Sequence, residues 1–181
     1  QAEKIYQDLL QIQQRVLGVA HVETLATLSG LAETHRHAGR LEEAEALYQQ
    51  VLDLQRKRTP ADIAAVAAAS ADLGSLWLQT GLTAKAEPLL RDCLEQCIKH
   101  QPEHWLRFNV ESLLGGALLH QKKYTEAGSL LQSGYEGLNT HAGMLAVQDR
   151  FRLRDAIVRL AQFNDATGNA VQAAQWRQKL A

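Results

Sequence analysis

The sequence repeats itself at a step of about 42 residues, and this repeat restricts the fold more than any other feature. A short motif that opens with alanine occurs five times along the chain. Its copies begin at Ala2, Ala44, Ala86, Ala127 and Ala173. The apolar residues around each copy are spaced three and four apart and never alternate, which indicates helices and not strands. A chain with such a period is predicted to stack copies of one helical unit.

A second shared strip of sequence precedes each of the last four motif copies. It places a leucine beside a small residue in every copy. The leucines are Leu31, Leu73, Leu114 and Leu160, and the small residues are Ala32, Gly74, Gly115 and Ala161. Small residues let two helices approach closely, and the neighbouring leucine fills their interface. Each unit is therefore predicted to contain helix A, a short turn, helix B and a loop to the next unit.

The turn after helix A has glycine in three of the four units, at Gly39, Gly81 and Gly168. Glycine readily adopts the left-handed backbone conformation that commonly ends a helix. Lys122 occupies this column in the third unit. A different cap is therefore expected there.

Extended over the whole chain, the unit predicts an all-α fold of about nine helices in a single domain, 1–181. A lone B helix is expected at about 1–17. Four A/B pairs are expected at about 21–58, 60–100, 103–140 and 146–181. Because the sequence starts at Gln1 and its one methionine is Met144, we expect it to be part of a larger protein.

These columns resemble the tetratricopeptide repeat (TPR), a helix–turn–helix unit of about 34 residues. In that pattern, an aromatic or aliphatic residue stands four positions after the small residue of helix B. Tyr48, Leu90 and Leu131 match this position, and Arg177 departs from it. The longer step, with "AEALY" and "AEPLL", is similar to the extended repeats of kinesin light chain. The C-terminal stretch also resembles the ends of TPR regions in bacterial serine/threonine kinases.

The resemblance implies a right-handed α-solenoid that serves as a non-catalytic protein–protein interaction module. It would bind a peptide or partner helix on the concave face, within a cytoplasmic bacterial signalling protein such as a serine/threonine kinase. The alternative is an oligomerisation or spacer segment that positions a catalytic domain. The resemblance assigns the following positions to the partner-binding groove: Ser29, Glu33, Arg36, His37, Ser75, Leu78, Gln79, Asn109, Ser112, Leu119, His120 and Gln162.

Composition argues against several other classes of protein. Nineteen Lys and Arg nearly balance twenty Asp and Glu, for a net charge of −1, so we expect no binding to nucleic acid. No apolar run approaches the roughly 20 residues that cross a bilayer, so direct membrane insertion is not expected. Nucleophile-elbow and phosphate-loop motifs are missing from the sequence. We therefore expect no enzyme activity and no cofactor.

Two pairs of residues are the strongest candidates for metal or redox chemistry. Cys93 and Cys97 could form such a pair, but free cysteines also pack as small apolar residues on one helical face. The second interpretation is favoured because no other cysteine is present. His100 and His104 are separated by Pro102, which argues against the single helix of an HExxH-type site. No metal site is predicted.

The first predicted helix has an apolar stripe formed by Ile5, Leu9, Ile12 and Val16. No partner helix A precedes it in this sequence. Either a preceding helix of a larger protein covers the stripe, or the stripe drives self-association or partner binding.

Overall fold

The structure is a computed structural model that describes residues 2–59 and 62–180. Gln1, Pro60 and Ala181, where predicted units begin or end, lie outside the described residues. The described part contains no strand and nine α-helices, which confirms the predicted all-α class. The helices are α1 (Ala2–Val16), α2 (Val22–His37), α3 (Leu41–Lys57), α4 (Ile63–Gln79), α5 (Thr83–His100), α6 (Trp105–His120), α7 (Tyr124–Thr140), α8 (Phe151–Ala166) and α9 (Ala170–Gln178). None of these helices is both long and apolar enough to cross a membrane.

The order of helix contacts is that of a solenoid. Each helix packs against the helix before it and the helix after it in the chain. In addition, α4 contacts α6, and α6 contacts α8. The even-numbered helices are thus the A helices and lie side by side, while α3, α5, α7 and α9 are the B helices.

The small-residue columns lie where helices A and B of one unit meet. A Cβ atom on Gly74 would come within 2.8 Å of the Leu90 side chain, and one on Gly115 within 2.7 Å of Leu131. The alanines of both columns are buried, at Ala32, Ala44, Ala86, Ala127, Ala161 and Ala173. The close A/B packing predicted from the sequence is therefore present.

The core forms two hydrophobic clusters that follow one another along the solenoid. One is centred on α2, α3 and α4, and the other runs from α4 to α9. Trp77 packs against both clusters and so joins them. Cys93 and Cys97 are buried members of the second cluster, where they occupy the volume of small apolar side chains.

All four turns after helix A have the same backbone conformation. Gly39, Gly81 and Gly168 have φ angles of 76°, 76° and 82°, and Lys122 has a φ of 61°. In each turn the N–H of the next residue donates to a carbonyl five residues earlier, as from Lys123 to Leu118 at 2.9 Å. The prediction that Lys122 uses a different cap is therefore wrong. The repeat requires the left-handed conformation, and the lysine adopts it at a cost of about 1 kcal/mol.

Candidate functional site

The A helices α2, α4, α6 and α8 together line a cavity of about 280 Å³, here called the central cavity. Its wall contains both charged and apolar side chains. The lining residues are Arg36, Ser75, Leu78, Gln79, Gly116, His120, Asp155, Val158, Arg159 and Gln162.

A second cavity of about 400 Å³, here called the end cavity, lies where the start of α8 approaches α2 and α4. It is lined by Ser29, Gly30, Glu33, His37, Tyr48, Asp72, Asp149, Phe151 and Arg152. The two cavities adjoin at α2, because Glu33 of the end cavity is hydrogen-bonded to Arg36 of the central cavity, with Arg36 Nε 2.9 Å from Glu33 Oε2.

Nine of the twelve predicted groove residues line these two cavities. The central cavity contains Arg36, Ser75, Leu78, Gln79, His120 and Gln162. The end cavity contains Ser29, Glu33 and His37. Residues that lie up to 133 positions apart in the sequence are thus brought to one face of the solenoid.

The other three predicted groove residues, Asn109, Ser112 and Leu119, are buried. Their exposed fractions are only 2%, 0% and 8%. Ser112 is covered by α8, where Arg159 Nη1 donates to Ser112 Oγ at 3.1 Å, and α6 also packs against α4, α5 and α7. The prediction that these three side chains are exposed in the groove is therefore wrong.

The central cavity carries more positive than negative charge. The Arg36 guanidinium pairs with Glu33 and also donates to Gln79 Oε1 at 3.1 Å. The Arg159 guanidinium has a weaker acidic partner, since its Nη2 lies 3.9 Å from Asp155 Oδ2. The Arg159 side chain is only 13% exposed, and this burial lowers the pKa of its guanidinium. An added anion would stabilise its charged form.

The end cavity is lined by three carboxylates and one guanidinium, although Glu33 also pairs with Arg36 of the central cavity. Arg152 lies between Asp72 and Asp149, with nitrogen–oxygen distances of 3.1 and 3.0 Å. Burial raises the pKa of Asp72, and the charge of Arg152 opposes this rise. Glu33 is the third carboxylate and accepts a hydrogen bond from the Tyr48 hydroxyl at 2.7 Å.

Asp72, Arg152 and Arg159 were missed as site residues. One signal for Asp72 was available, because it is the only charged residue in the alanine-rich sequence of α4. The arginines gave no comparable signal. The pair of Arg152 with Asp72 joins residues that lie 80 positions and two units apart. Repeat columns identify contacts between neighbouring units and say nothing of contacts two units apart.

Glu33 lies where the two cavities adjoin, and its pKa is shifted strongly. Burial by itself would raise its pKa, but hydrogen bonds from Arg36 and Tyr48 lower the pKa to about 2, from an ordinary value of 4.5. A carboxylate with a depressed pKa stabilises the fold fully above about pH 4.5. This stabilisation is lost as the pH falls toward 2.

Glu33→Gln is therefore expected to lower the free energy of unfolding at pH 7 by about 1 kcal/mol, after allowance for solvent screening of a side chain that is 40% exposed. The difference from the unchanged protein should shrink as the pH falls from 4.5 to 2.5. Urea unfolding followed by circular dichroism at each pH would measure it, with the exposed Glu95→Gln as control. A difference that stays constant between pH 7 and pH 2.5 would contradict the assignment.

Comparison with known proteins identifies the fold. Residues 1–57 match the family model of the tetratricopeptide repeat. A search of curated proteins finds no match. Among solved structures, a kinesin light chain protein of Podospora anserina with nearly identical TPR-like repeats is 22% identical, with a TM-score of 0.65, and covers 97% of this chain and 82% of its own.

Two further solved structures have similar folds. BtubC (BKLC) from P. vanneervenii is 13% identical, with a TM-score of 0.66, and the alignment covers 98% of this chain and 87% of BtubC. The apo form of RapI is 13% identical, with a TM-score of 0.67, and the alignment covers 97% of this chain and 73% of RapI. Such low identities show the fold alone. The chain is a TPR-like α-solenoid with repeats like those of kinesin light chain, and its first 57 residues match the tetratricopeptide repeat family.

Proposed function

We propose that this chain is a protein-interaction module that binds a peptide or a partner helix on its concave face. TPR-like solenoids are generally interaction modules, and their concave surfaces are extended binding surfaces. The observation that carries the proposal is the convergence of nine groove residues, from four helices, on two adjoining cavities. A peptide backbone in the groove would have amide and hydroxyl groups on both sides as hydrogen-bond partners.

The charges of the two cavities indicate what kind of segment fits. The central cavity offers Arg159, His120 and the amides of Gln79 and Gln162, so an acidic side chain of the ligand belongs there. The end cavity offers carboxylates around Arg152, so a basic or hydroxyl-bearing side chain belongs there. The ligand is thus proposed to carry both signs of charge, one for each cavity.

The wider setting of the module is also part of the proposal. We propose that the module is part of a cytoplasmic bacterial signalling protein, such as a serine/threonine kinase. The module itself is proposed to be non-catalytic. The support for the kinase setting is the resemblance of the C-terminal stretch to TPR regions of such kinases. The support for a non-catalytic role is the family match.

Peptides selected from a displayed random dodecapeptide library provide the test, since they require no known partner. The groove variant Gln79→Ala/His120→Ala/Gln162→Ala removes three exposed polar side chains from the central cavity. It is expected to weaken the binding of the selected peptides at least about tenfold, because each lost hydrogen bond contributes about 0.5–1.5 kcal/mol. Isothermal titration calorimetry would measure the affinities.

A matched control has the same three changes on exposed positions of the B helices. This variant is Gln50→Ala/His100→Ala/Gln175→Ala. It should bind the selected peptides as the unchanged protein does. Equal affinities for the groove variant and the control would contradict the proposal and would favour the spacer or oligomerisation role.

A further inference from the structure

The helix α1 has an apolar stripe that the described part of the chain leaves uncovered. Its residues Ile5, Leu9, Ile12 and Val16 are 61%, 41%, 56% and 67% exposed. Further exposed apolar side chains follow the stripe in the sequence, namely Leu17, Val19 and Val22. An exposed apolar surface of this extent on one helix is typical of a protein-binding site.

The equivalent surface of the next B helix is covered. Val51 stands 42 residues after Leu9 and is only 3% exposed, in one hydrophobic cluster with Leu25 and Leu28 of α2. The opposite side of α1 is already used, since Tyr6 lies against Gly30 of α2. The stripe is therefore a helix-packing surface for which the described residues supply no helix.

The spacing of the stripe fits a seam between two helices. Its steps of four, three and four residues are those of a heptad repeat, the pattern of a two-stranded coiled coil. The stripe is also symmetric about its own midpoint. An antiparallel second copy of α1 would therefore pack Ile5 against Val16 at both ends of the seam, and Leu9 against Ile12 twice at its centre.

Charged residues along one flank of the stripe also favour an antiparallel pair of α1 helices. Asp8 and Arg15 each directly precede a stripe residue, and both are exposed. In the antiparallel register, Asp8 of each copy lies beside Arg15 of the other, which gives two opposite-charge pairs related by a two-fold axis. A parallel pair of α1 helices would instead bring Asp8 near Gln13.

We propose that α1 is a self-association surface and that its occupant is α1 of a second copy of this chain, packed antiparallel. The seam consists of the four stripe residues, flanked by the pairs of Asp8 with Arg15. This surface is separate from the cavities of the A helices. The dimer therefore presents two concave faces, both free to bind.

Sedimentation equilibrium of the whole 181-residue chain at low ionic strength tests the proposal. The unchanged protein is expected to dimerise. Asp8→Arg and Arg15→Asp should each weaken homodimerisation about tenfold, because two attractive pairs become two repulsive pairs. An equimolar mixture of these two variants should form heterodimers about as stable as the original dimer. The double variant Asp8→Arg/Arg15→Asp should also recover the original affinity.

Circular dichroism of each variant checks that the solenoid remains folded, as expected for changes at exposed positions. Two results would overturn the proposal. One is a monomeric mass at every concentration up to about 1 mM, in which case a helix from another source is the occupant. The other is a dimer whose affinity is the same in the two single variants as in the unchanged protein.

Discussion

Replacing Arg152 by methionine is expected to lower the free energy of unfolding by about 2–4 kcal/mol. Arg152 is only 11% exposed and lies between Asp72 and Asp149, so its removal leaves two poorly solvated carboxylates without their cation. Breaking a buried ion pair from one side costs about 3–5 kcal/mol, and Asp72 keeps some access to solvent. Arg152 Cζ also lies 5.7 Å and 5.0 Å from the centroids of the Trp105 and Phe151 rings, so methionine loses these cation–π contacts as well.

Urea unfolding followed by circular dichroism would measure this effect, and Arg150→Met is the matched control. Arg150 is exposed, two positions away from Arg152, and its replacement should change stability by less than about 0.5 kcal/mol. The double variant Asp72→Asn/Arg152→Met should lose less stability than the two single variants added together. Equal effects of Arg150→Met and Arg152→Met would mean that the ion pairs do not hold α8 against α4.

Gly134→Ala is expected to cost about 1–2 kcal/mol, although alanine is the better helix former. A Cβ atom at this position would lie 2.6 Å from the Ser112 backbone nitrogen and 2.7 Å from the Phe108 carbonyl oxygen. These are backbone atoms of a neighbouring helix and cannot turn aside, so α6 and α7 must separate. Overpacking of this kind costs about 1–3 kcal/mol and sometimes more, against a gain in helix propensity of about 1 kcal/mol.

The same substitution at Gly143 is the control. A Cβ atom there would meet nothing within 4 Å, and the backbone has no positive φ. Gly143→Ala should leave stability unchanged or raise it by about 0.5 kcal/mol, because alanine restricts the unfolded chain. Thermal unfolding of the two variants would measure the difference in their stability. A Gly134→Ala protein as stable as the Gly143→Ala protein would contradict the close approach of α6 and α7.

The fold could be predicted because its main contacts lie within a unit or between neighbouring units. Such contacts recur at each step, so columns such as Leu31 with Ala32 record them repeatedly in one sequence. Lys122 shows the limit of this reasoning. The geometry of the repeat determined the conformation of that turn, and the residue present had to adopt it.

The site was harder to predict because it depends on the curvature of the whole solenoid. Curvature accumulates from small rotations at each unit. It brings Arg152 of α8 to Asp72 of α4, two units earlier in the chain, a contact that no repeat column records. One hint was present in the sequence. Gly116 stands in the column of Glu33, Ser75 and Gln162, and a Cβ atom there would lie 3.0 Å from Arg159 Cδ.

The most direct test of the recognition role is a crystal structure of this chain with its tightest-binding selected peptide. The peptide is expected to lie along the A helices, with an acidic side chain against Arg159 in the central cavity. Its contacts should include Gln79 and His120. A peptide found on the B helices, or on α1 alone, would contradict the concave face as the binding groove.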